Sequence, residues 1–417
     1  MRTFAIFLLA LGLLSSCCRE HTETFITQIP IWEDAETLRT KPITFELPRP
    51  ITTRGKMYYR DGFLFINEPD EGVHIIDNRN PESPQQIGFI VIAGNHDMVV
   101  KNNVLIADSY IDLVSIDLGS FQSPTPRVLE RKEGIFAVEW VNYSPESNQI
   151  LTGYEEIEQS YTTESCSQDE TDFVQHTAMA ESADAANLVG GSFGVSGSMA
   201  RMVLAGDYLY ALASADNWSE NKLITLDASF PSALDELPAQ YVPGAFETIF
   251  PYRNHLFFGA ADGLYIYDIS TPAQPEFISM YSHFVACDPV VVQGDYAYVT
   301  LRSGQNWCMN AENQLEVVDI SDITRPHLVK AMPMSNPHGL GVDNDQLFVC
   351  DGDVGLKLLN VEVPTDPEFV RAWKDWHAYD VIPLPHQKVL MMIGDDGLYQ
   401  LDYSDPADIK WLSHLSM

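Results

Sequence analysis

Apolar and polar residues alternate along short segments that recur through most of the chain. Each segment continues into Asp or Asn and then into a turn that usually contains proline. A period of two indicates a β-strand, and proline ends a strand because it removes a donor from the ladder. The clearest copies are GVHIIDNRNPESP (72–84), GLYIYDISTPAQP (263–275), QLEVVDISDITRP (314–326), GLKLLNVEVPTDP (355–367) and GLYQLDYSDPADI (397–409), with weaker ones at 112–124 and 222–230.

The acidic or amide residue that ends each strand gives the period. These residues are Asp77, Asp117, Asp227, Asp268, Asp319, Asn360 and Asp402, with spacings of 40, 110, 41, 51, 41 and 42. The gap of 110 equals two periods of 41 plus 28 further residues. It therefore predicts a degenerate copy, with strands at 134–140 and 148–160, followed by an inserted loop at about 161–198.

A second pair of strands precedes every one of these positions, as in DPVVVQGDYAYVT (288–299). Their Gly-Asp, Asn-Asn and Asn-Asp connections suit tight turns. Counting the degenerate copy gives eight such pairs. Four short strands in about forty residues is the size of a propeller blade, and radial closure protects the sheet edges. We predict an all-β fold, a single β-propeller of four-stranded antiparallel blades, with eight blades favoured and seven as the alternative. Either residues 43–48 or residues 410–415 would complete the last blade.

The strand motif followed by Ser and a proline turn resembles the LVIVD repeat of bacterial surface and envelope proteins. The residues that carry the resemblance are LEVVDIS (315–321) and LYIYDIS (264–270), with drift to LKLLNVE (356–362) and LYQLDYS (398–404). The resemblance extends over about residues 55–417. It implies a β-propeller and implies no defined catalytic residues.

The N-terminus predicts a membrane anchor. Phe4 to Leu14 is an apolar run of signal-peptide length, and Leu14-Ser15-Ser16-Cys17 resembles a bacterial lipobox. This predicts a signal peptide at 1–16, lipidation of Cys17, a polar tether at 17–42 and the propeller at 43–417. A plain signal peptide is the alternative. The predicted location is the bacterial cell envelope, anchored by lipid to the outer membrane, with the periplasmic or outward orientation left open.

Charge excludes one class of partner. The chain has 24 Lys and Arg against 59 Asp and Glu, a net charge of −35, which repels the phosphate backbone of nucleic acids. Cysteine spacing gives no CxxC pair, so zinc ribbons and thioredoxin-type sites are not supported. Cys287 and Cys308 are either a local disulfide or two free thiols. Gly190–Gly194 matches the GxSxG pattern, but it lies in the inserted loop and lacks the strand and helix that a nucleophile elbow needs.

One constellation of side chains suggests a binding site. The first strand of each blade lines the central channel of a propeller, so the residues that enter these strands should meet at one mouth. They are His96, Asp97, Glu247, Asp288, His338, His377, Tyr379 and Asp380. Imidazoles and carboxylates suit a divalent metal or a cationic ligand, whereas the alternative is that they cap strand ends and bind water. Trp218, Trp307, Trp373 and Trp376 either form a recognition surface or pack between blades.

These observations favour a non-catalytic, lipid-anchored propeller that acts as a binding module, with an unknown protein, glycan or small molecule as its partner. Two alternatives stay open. One is a propeller-type metal-dependent hydrolase that uses the His/Asp/Glu ring, and the other is a purely structural envelope protein. A divalent metal at the channel mouth is the one cofactor that the sequence suggests.

Overall fold

The computed structural model describes residues 19–139, 141–165, 195–213, 221–243, 246–283, 289–303, 313–374 and 376–416. They divide into two compact units. One contains 19–31 with 153–165, and the other contains 32–152 with everything from 195 onward. Within these ranges the fold is 34 strands and one five-residue helix. That helix is the only one in the described ranges, and it is too short to cross a membrane.

The first part of the chain forms thirteen strands. In chain order the elements are β1 (Arg19–Asp34), α1 (Ala35–Arg39), β2 (Thr44–Glu46), β3 (Met57–Arg60), β4 (Phe63–Glu68), β5 (Gly72–Asp77), β6 (Gln85–Val91), β7 (Met98–Lys101), β8 (Val104–Ser109), β9 (Asp112–Asp117), β10 (Arg127–Lys132), β11 (Tyr143–Ser144), β12 (Gln149–Ser165) and β13 (Val195–Ser196).

The rest of the described chain is a regular series of strands. They are β14 (Met202–Ala205), β15 (Tyr208–Ala213), β16 (Asn221–Asp227), β17 (Asp235–Glu236), β18 (Gln240–Val242), β19 (Phe246–Tyr252), β20 (His255–Ala260), β21 (Gly263–Asp268), β22 (Glu276–Ser282), β23 (Val290–Gln293), β24 (Tyr296–Leu301), β25 (Gln314–Asp319), β26 (His327–Pro333), β27 (Leu340–Asp343), β28 (Gln346–Cys350), β29 (Leu356–Asn360), β30 (Glu368–Trp373), β31 (Ala378–Leu384), β32 (Val389–Gly394), β33 (Gly397–Asp402) and β34 (Lys410–Ser416).

These strands form eight antiparallel sheets within the described ranges, which confirms the predicted propeller fold. Seven sheets have the blade order of four consecutive strands: blade 1 (β3–β6), blade 2 (β7–β10), blade 3 (β14–β17, with β18 beside β17 on β16), blade 4 (β19–β22), blade 5 (β23–β26), blade 6 (β27–β30) and blade 7 (β31–β34). The eighth sheet has three strands in the order β1, β12, β11.

The innermost strands of the seven blades contact one another in chain order. Seven is the number that the sequence analysis gave as the alternative to eight. The contacts join β3 to β7, β7 to β14 and then each blade to the next as far as β31. The last blade meets the first through side chains. Asn78 and Gln400 exchange two amide hydrogen bonds of 2.8 and 2.7 Å, and Ser413 Oγ donates to the Pro81 carbonyl at 2.6 Å. The ring therefore closes without a strand shared between the two blades.

The inserted part of the chain differs in detail from the prediction. Of the predicted strand at 148–160, residues 149–160 lie in β12, but residues 134–139 form turns and an isolated bridge. The two described ends of the predicted loop are also strands, because 161–165 continues β12 and β13 joins the inner edge of blade 1. The central part, residues 166–194 with the GxSxG motif, lies outside the described residues.

The strands near the two chain termini show which segment completes the last blade. β34 completes blade 7, whereas Thr44–Glu46 pairs with the outer strand of blade 1 and covers its edge. The predicted tether contains β1 and α1, with Asp34 as the N-cap of the helix. Ala35 and Leu38 of α1 are buried against Ile111 of blade 2 and Ile150.

The repeated Asp or Asn has the same local role in every blade. Its Oδ1 accepts a hydrogen bond of 2.5–3.2 Å from the backbone N–H two residues later, in Arg79, Gly119, Ser229, Ser270, Ser321, Glu362 and Ser404. This is an Asx turn, which ends the third strand and starts the turn to the fourth. The tight turns between the first two strands also have the predicted form, since Asn102, Asn344 and Gly294 have φ values of 56°, 53° and 64°.

Candidate functional site

All seven innermost strands begin at the same end of the propeller, which we call the channel mouth. Residues 195–201, the mouth segment, cross this end. Ser196 and Val195 pair with Tyr58 and Tyr59 of blade 1, and the Gly197 N–H donates to the Met57 carbonyl at 3.0 Å. Ala200 then accepts a hydrogen bond of 2.9 Å from Ile249 of blade 4. The segment therefore connects blades that are far apart in the chain.

Asp97 holds one end of the mouth segment. Its Oδ2 accepts hydrogen bonds from the Arg201 N–H at 2.8 Å and from the Lys56 Nζ at 3.0 Å, while Oδ1 accepts from the Met98 N–H at 2.8 Å. Both Asp97 and Lys56 are buried. A carboxylate removed from water needs such partners, because burying it unpaired is costly. Asp97 thus ties blades 1, 2 and 3 together.

Asp380 holds the middle of the mouth segment. Its Oδ1 accepts from Ser198 through the backbone N–H at 3.1 Å and the hydroxyl at 3.3 Å, and from the Val381 N–H at 2.9 Å. The Ser198 hydroxyl in turn accepts from the Leu340 N–H at 2.7 Å. A Cβ atom on Gly339 would collide with the Asp380 carboxylate, which explains why glycine precedes the first strand of blade 6.

His338 directly precedes Gly339, and one of its ring nitrogens has no hydrogen-bond partner among the described residues. Asn336 Nδ2 is 3.2 Å from its Nε2, so Nε2 accepts and the neutral ring carries its proton on Nδ1. No described group hydrogen-bonds with Nδ1, although the residue is only 8% exposed. Burial, together with the positive charges of Arg302 and Arg54, lowers the pKa of His338 to about 3. The mouth therefore contains a buried N–H donor that is aimed at no described acceptor.

Tyr379 forms the wall next to this imidazole. The His338 and Tyr379 ring centroids are 5.1 Å apart, and the Arg54 guanidinium lies 4.2 Å from the centroid of the Tyr379 ring. Arg54 also forms an ion pair with Asp395. Glu247 lies on β19 and is half-buried.

His96 and His377 occupy equivalent places on the rim of the mouth. Each precedes the first strand of its blade and pairs with an aspartate from the preceding blade: His96 Nε2 with Asp70 at 2.9 Å, and His377 Nδ1 with Asp353 at 2.8 Å. Burial lowers the pKa of His96, but Asp70 and Asp108 outweigh this and raise the pKa above its usual value. Both pairs are exposed to solvent.

Comparison with known proteins identifies the repeat. A family model described as the LVIVD repeat matches residues 253–283 and 286–332, which correspond to most of blades 4 and 5. The chain is a β-propeller that contains LVIVD repeats. In sequence, no curated protein matches it.

Three solved structures share the fold of this LVIVD-repeat propeller at low identity. A protein from Lactobacillus plantarum has a TM-score of 0.53 at 10% identity, covering 88% of this chain and 97% of its own. The computationally designed Ika8 protein gives 0.51 at 9%, covering 89% and 92%. A functionally unknown protein from Desulfotomaculum acetoxidans gives 0.50 at 10%, covering 87% and 95%. At these identities the likeness concerns the fold alone.

The remaining candidates of the LVIVD-repeat propeller fall into two groups. Trp373 and Trp376 are described and stack on each other, with ring centroids 5.8 Å apart. The others lie outside the described residues: Cys17, Trp218, Asp288, Trp307 and the pair Cys287 and Cys308. Among the described residues there is no group of three His, Cys, Asp or Glu side chains arranged to hold a metal ion.

Sequence reasoning missed the residues that fill the mouth. Lys56 could have been found, because it occupies the same entry position in blade 1 that Asp97 occupies in blade 2. Arg201 occupies this entry position in blade 3, since it directly precedes β14, but its partner could not be predicted; Ser198 gave no signal, because it lies at the end of a Gly- and Ser-rich insertion without periodicity. Their role depends on contacts with blades that are distant in the sequence.

Proposed function

We propose that this protein is a non-catalytic binding module, anchored by a lipid on Cys17 to the bacterial envelope, and that its partner contacts the channel mouth. A repeat propeller suggests a binding or interaction module, because it presents many loops on a rigid frame. The lipobox-like sequence Leu14–Cys17 supports the anchor and the location.

The observation that carries the proposal is that the buried carboxylates at the mouth accept hydrogen bonds from the protein itself. Asp97 and Asp380 accept five hydrogen bonds from backbone N–H groups and side chains of the mouth segment and the strand starts, as well as one from Lys56. A general acid or base must reach a substrate proton. These groups instead fix the segment that closes the mouth, which favours a rigid recognition surface over a hydrolytic pocket.

The rim gives this surface polar contacts of defined geometry. The exposed pairs His96–Asp70 and His377–Asp353 lie at the entries of blades 2 and 7, and the buried Nδ1–H of His338 lies at the entry of blade 6. A net charge of −35 favours a cationic partner over an anionic one. The partner's class is a protein or peptide with basic groups facing the rim.

Photo-crosslinking in cells tests the proposal. We expect a benzophenone amino acid at His377 to give a discrete adduct, whereas the same group at Val363, in the turn at the opposite end of blade 6, gives none. Val363 is a matched control because it is 58% exposed and lies in the blade that directly precedes His377 in the chain. Adducts from Val363 alone would place the partner on the other end and contradict the proposal. A lack of adducts from both positions would favour the purely structural alternative.

The anchor is tested in the same cells. Cys17→Ala should leave the protein unacylated and release it from the membrane fraction, while Cys18→Ala should leave it attached. Acylated protein in the Cys17→Ala membranes would show that the anchor has been assigned to the wrong residue.

A further inference from the structure

Blades 6 and 7 enclose an aromatic cluster that the channel mouth does not use. Four rings form a continuous stack: Trp373 on Trp376 at 5.8 Å and 9°, Trp376 on Tyr399 at 4.9 Å and 26°, and Tyr399 on His414 at 4.3 Å and 22°. Trp373 ends the outer strand of blade 6, and the other three rings belong to blade 7 or to its entry. We call this cluster, together with Trp411, the blade 6–7 groove.

Trp411 meets the stack at steep angles. Its interplanar angles are 60° to Trp376, 85° to Tyr399 and 65° to His414, with centroids 5.3–6.0 Å apart. Trp376 stacks with Trp373 and Tyr399, and Tyr399 stacks with Trp376 and His414, so Trp411 packs against the stack rather than joining it. Trp411 is 52% exposed, and we call the part of its indole that is open to solvent the open face.

The open indole is held on a fixed support. The Tyr399 hydroxyl donates to the Asp396 carboxylate, and His414 Nε2 is 3.1 Å from the Asp396 carbonyl oxygen. Edge-to-face and offset-stacked rings are the favoured aromatic geometries. Little conformational freedom is therefore left to lose when a ligand stacks on Trp411, which favours binding.

The other end of the stack shows which chemistry the rings accept. The Arg371 guanidinium lies over Trp373, 4.9 Å from the ring centroid. No lysine or arginine of the described residues lies over Trp411 in the same way. Aromatic faces attract cations through the ring quadrupole, and indole is the strongest of the three aromatic side chains in this respect. A second guanidinium can thus occupy the open face as Arg371 occupies Trp373.

We propose that the open face of Trp411 binds an arginine side chain from a basic segment of a partner protein. The net charge of −35 attracts such a segment over long range, and the indole gives it a place to stack. Trp376 directly precedes His377 of the rim, whereas Trp411 pairs with Leu401 near the other end of β33. The inference extends the proposed function by naming a partner chemistry, but it does not require the mouth itself to bind.

Peptide binding to the purified full-length protein tests this inference. The probes are a fluorescent octa-arginine peptide, an octalysine peptide and a neutral Gly-Ser peptide of equal length, measured by anisotropy at about 0.15 M salt, where long-range attraction is already screened. We expect Trp411→Ala to weaken octa-arginine binding about three- to fivefold, and Trp411→Phe to retain most of it. Octalysine should lose less, because ammonium cannot stack as a planar guanidinium does.

Phe369→Ala is the matched control. Phe369 occupies the equivalent place on the outer strand of blade 6, is 60% exposed, and belongs to no ring stack of the described residues. Its loss should leave octa-arginine binding unchanged. Equal binding by the wild type and Trp411→Ala would overturn the inference. So would a neutral oligosaccharide that binds the wild type, fails to bind Trp411→Ala and is not displaced by octa-arginine, because the groove would then be a glycan platform.

The outcome is separable from that of the proposed function. Adducts from His377 with no effect of Trp411→Ala would retain the mouth and reject the groove. Loss of octa-arginine binding in Trp411→Ala without adducts from His377 would do the reverse.

Discussion

Replacing Asp97 with alanine is expected to lower the free energy of unfolding by about 3–5 kcal/mol. The substitution leaves the Lys56 ammonium buried without its counter-ion, which lies 3.0 Å away in the native protein. It also removes the acceptor for the Arg201 and Met98 N–H groups. Urea unfolding at pH 7 would measure the change. A loss below about 1 kcal/mol, which is typical of exposed ion pairs, would contradict the structure.

A double-mutant cycle separates the charge from the hydrogen bonds. Adding Lys56→Met to Asp97→Asn should recover part of the stability that Asp97→Asn alone loses, because no buried ammonium is then left unpaired. Asp117→Ala is a suitable control for removing an acidic side chain as such, since Asp117 is on the same blade and accepts from Gly119 in an exposed turn. Strict additivity of the Lys56 and Asp97 changes would show that the two side chains do not interact.

The second large effect concerns pH. Between pH 7 and pH 4 the wild type is expected to lose about 3 kcal/mol more stability than His338→Gln. Burial lowers the pKa of His338 to about 3 in the folded protein, whereas in the unfolded chain the imidazole binds a proton near pH 6.5. Below this value the unfolded state therefore binds more protons than the folded state. The stability that the neutral ring contributes is fully present above pH 6.5 and is lost as the pH falls towards 3.

The comparison of the two proteins isolates this residue from other groups that titrate in acid. His74 is also buried with a lowered pKa, because of its burial, but it is present in both proteins and cancels in the difference. The groups that act on His338 are the Arg302 and Arg54 cations, which oppose its protonation, and Asp353, which favours it. Denaturant unfolding at intervals from pH 7 to pH 4 gives the curve. Parallel curves for wild type and His338→Gln would mean that His338 is accessible and titrates normally.

The repeats could be predicted from the sequence because the interactions that define them are local. The Asx turn after Asp319 forms between residues two apart, and the alternation in LEVVDIS places one face of the strand in the core. Such signals survive in each copy, even where Asn360 replaces aspartate. The same reasoning predicted the tight turn at Asn344, which has positive φ as such turns require.

The channel mouth could be predicted only in part. Topology placed Asp97, His338 and Asp380 at strand entries on one end, since strand polarity alternates regularly within a blade. Their hydrogen-bond partners could not be predicted, because Ser198 is 182 residues from Asp380 in the sequence and Arg201 is 104 residues from Asp97. A two-residue strand such as Val195–Ser196 has no periodicity to detect.

Departures from the repeat were the hardest features to predict. β2 adds to the outer edge of blade 1 through three residues, Thr44–Glu46, that pair with Val91, Ile90 and Phe89. Edge pairing of this kind depends on where a free edge lies after folding. Likewise, the spacing of 110 residues implied another copy, but its strands pair in a three-stranded sheet with β1 and are not part of the contacts between the innermost strands of the seven blades.

Amide hydrogen exchange of the mouth segment tests most directly whether the channel end is a closed, rigid surface. The N–H groups of Gly197, Ser198 and Arg201 donate to Met57, Asp380 and Asp97. We predict that peptides covering residues 195–201 exchange as slowly as those from the inner strand Met98–Lys101, and that Asp97→Ala accelerates exchange at Arg201. Exchange in the wild type as fast as in the exposed turn at residues 362–366 would show that the segment does not close the mouth, and would contradict the account.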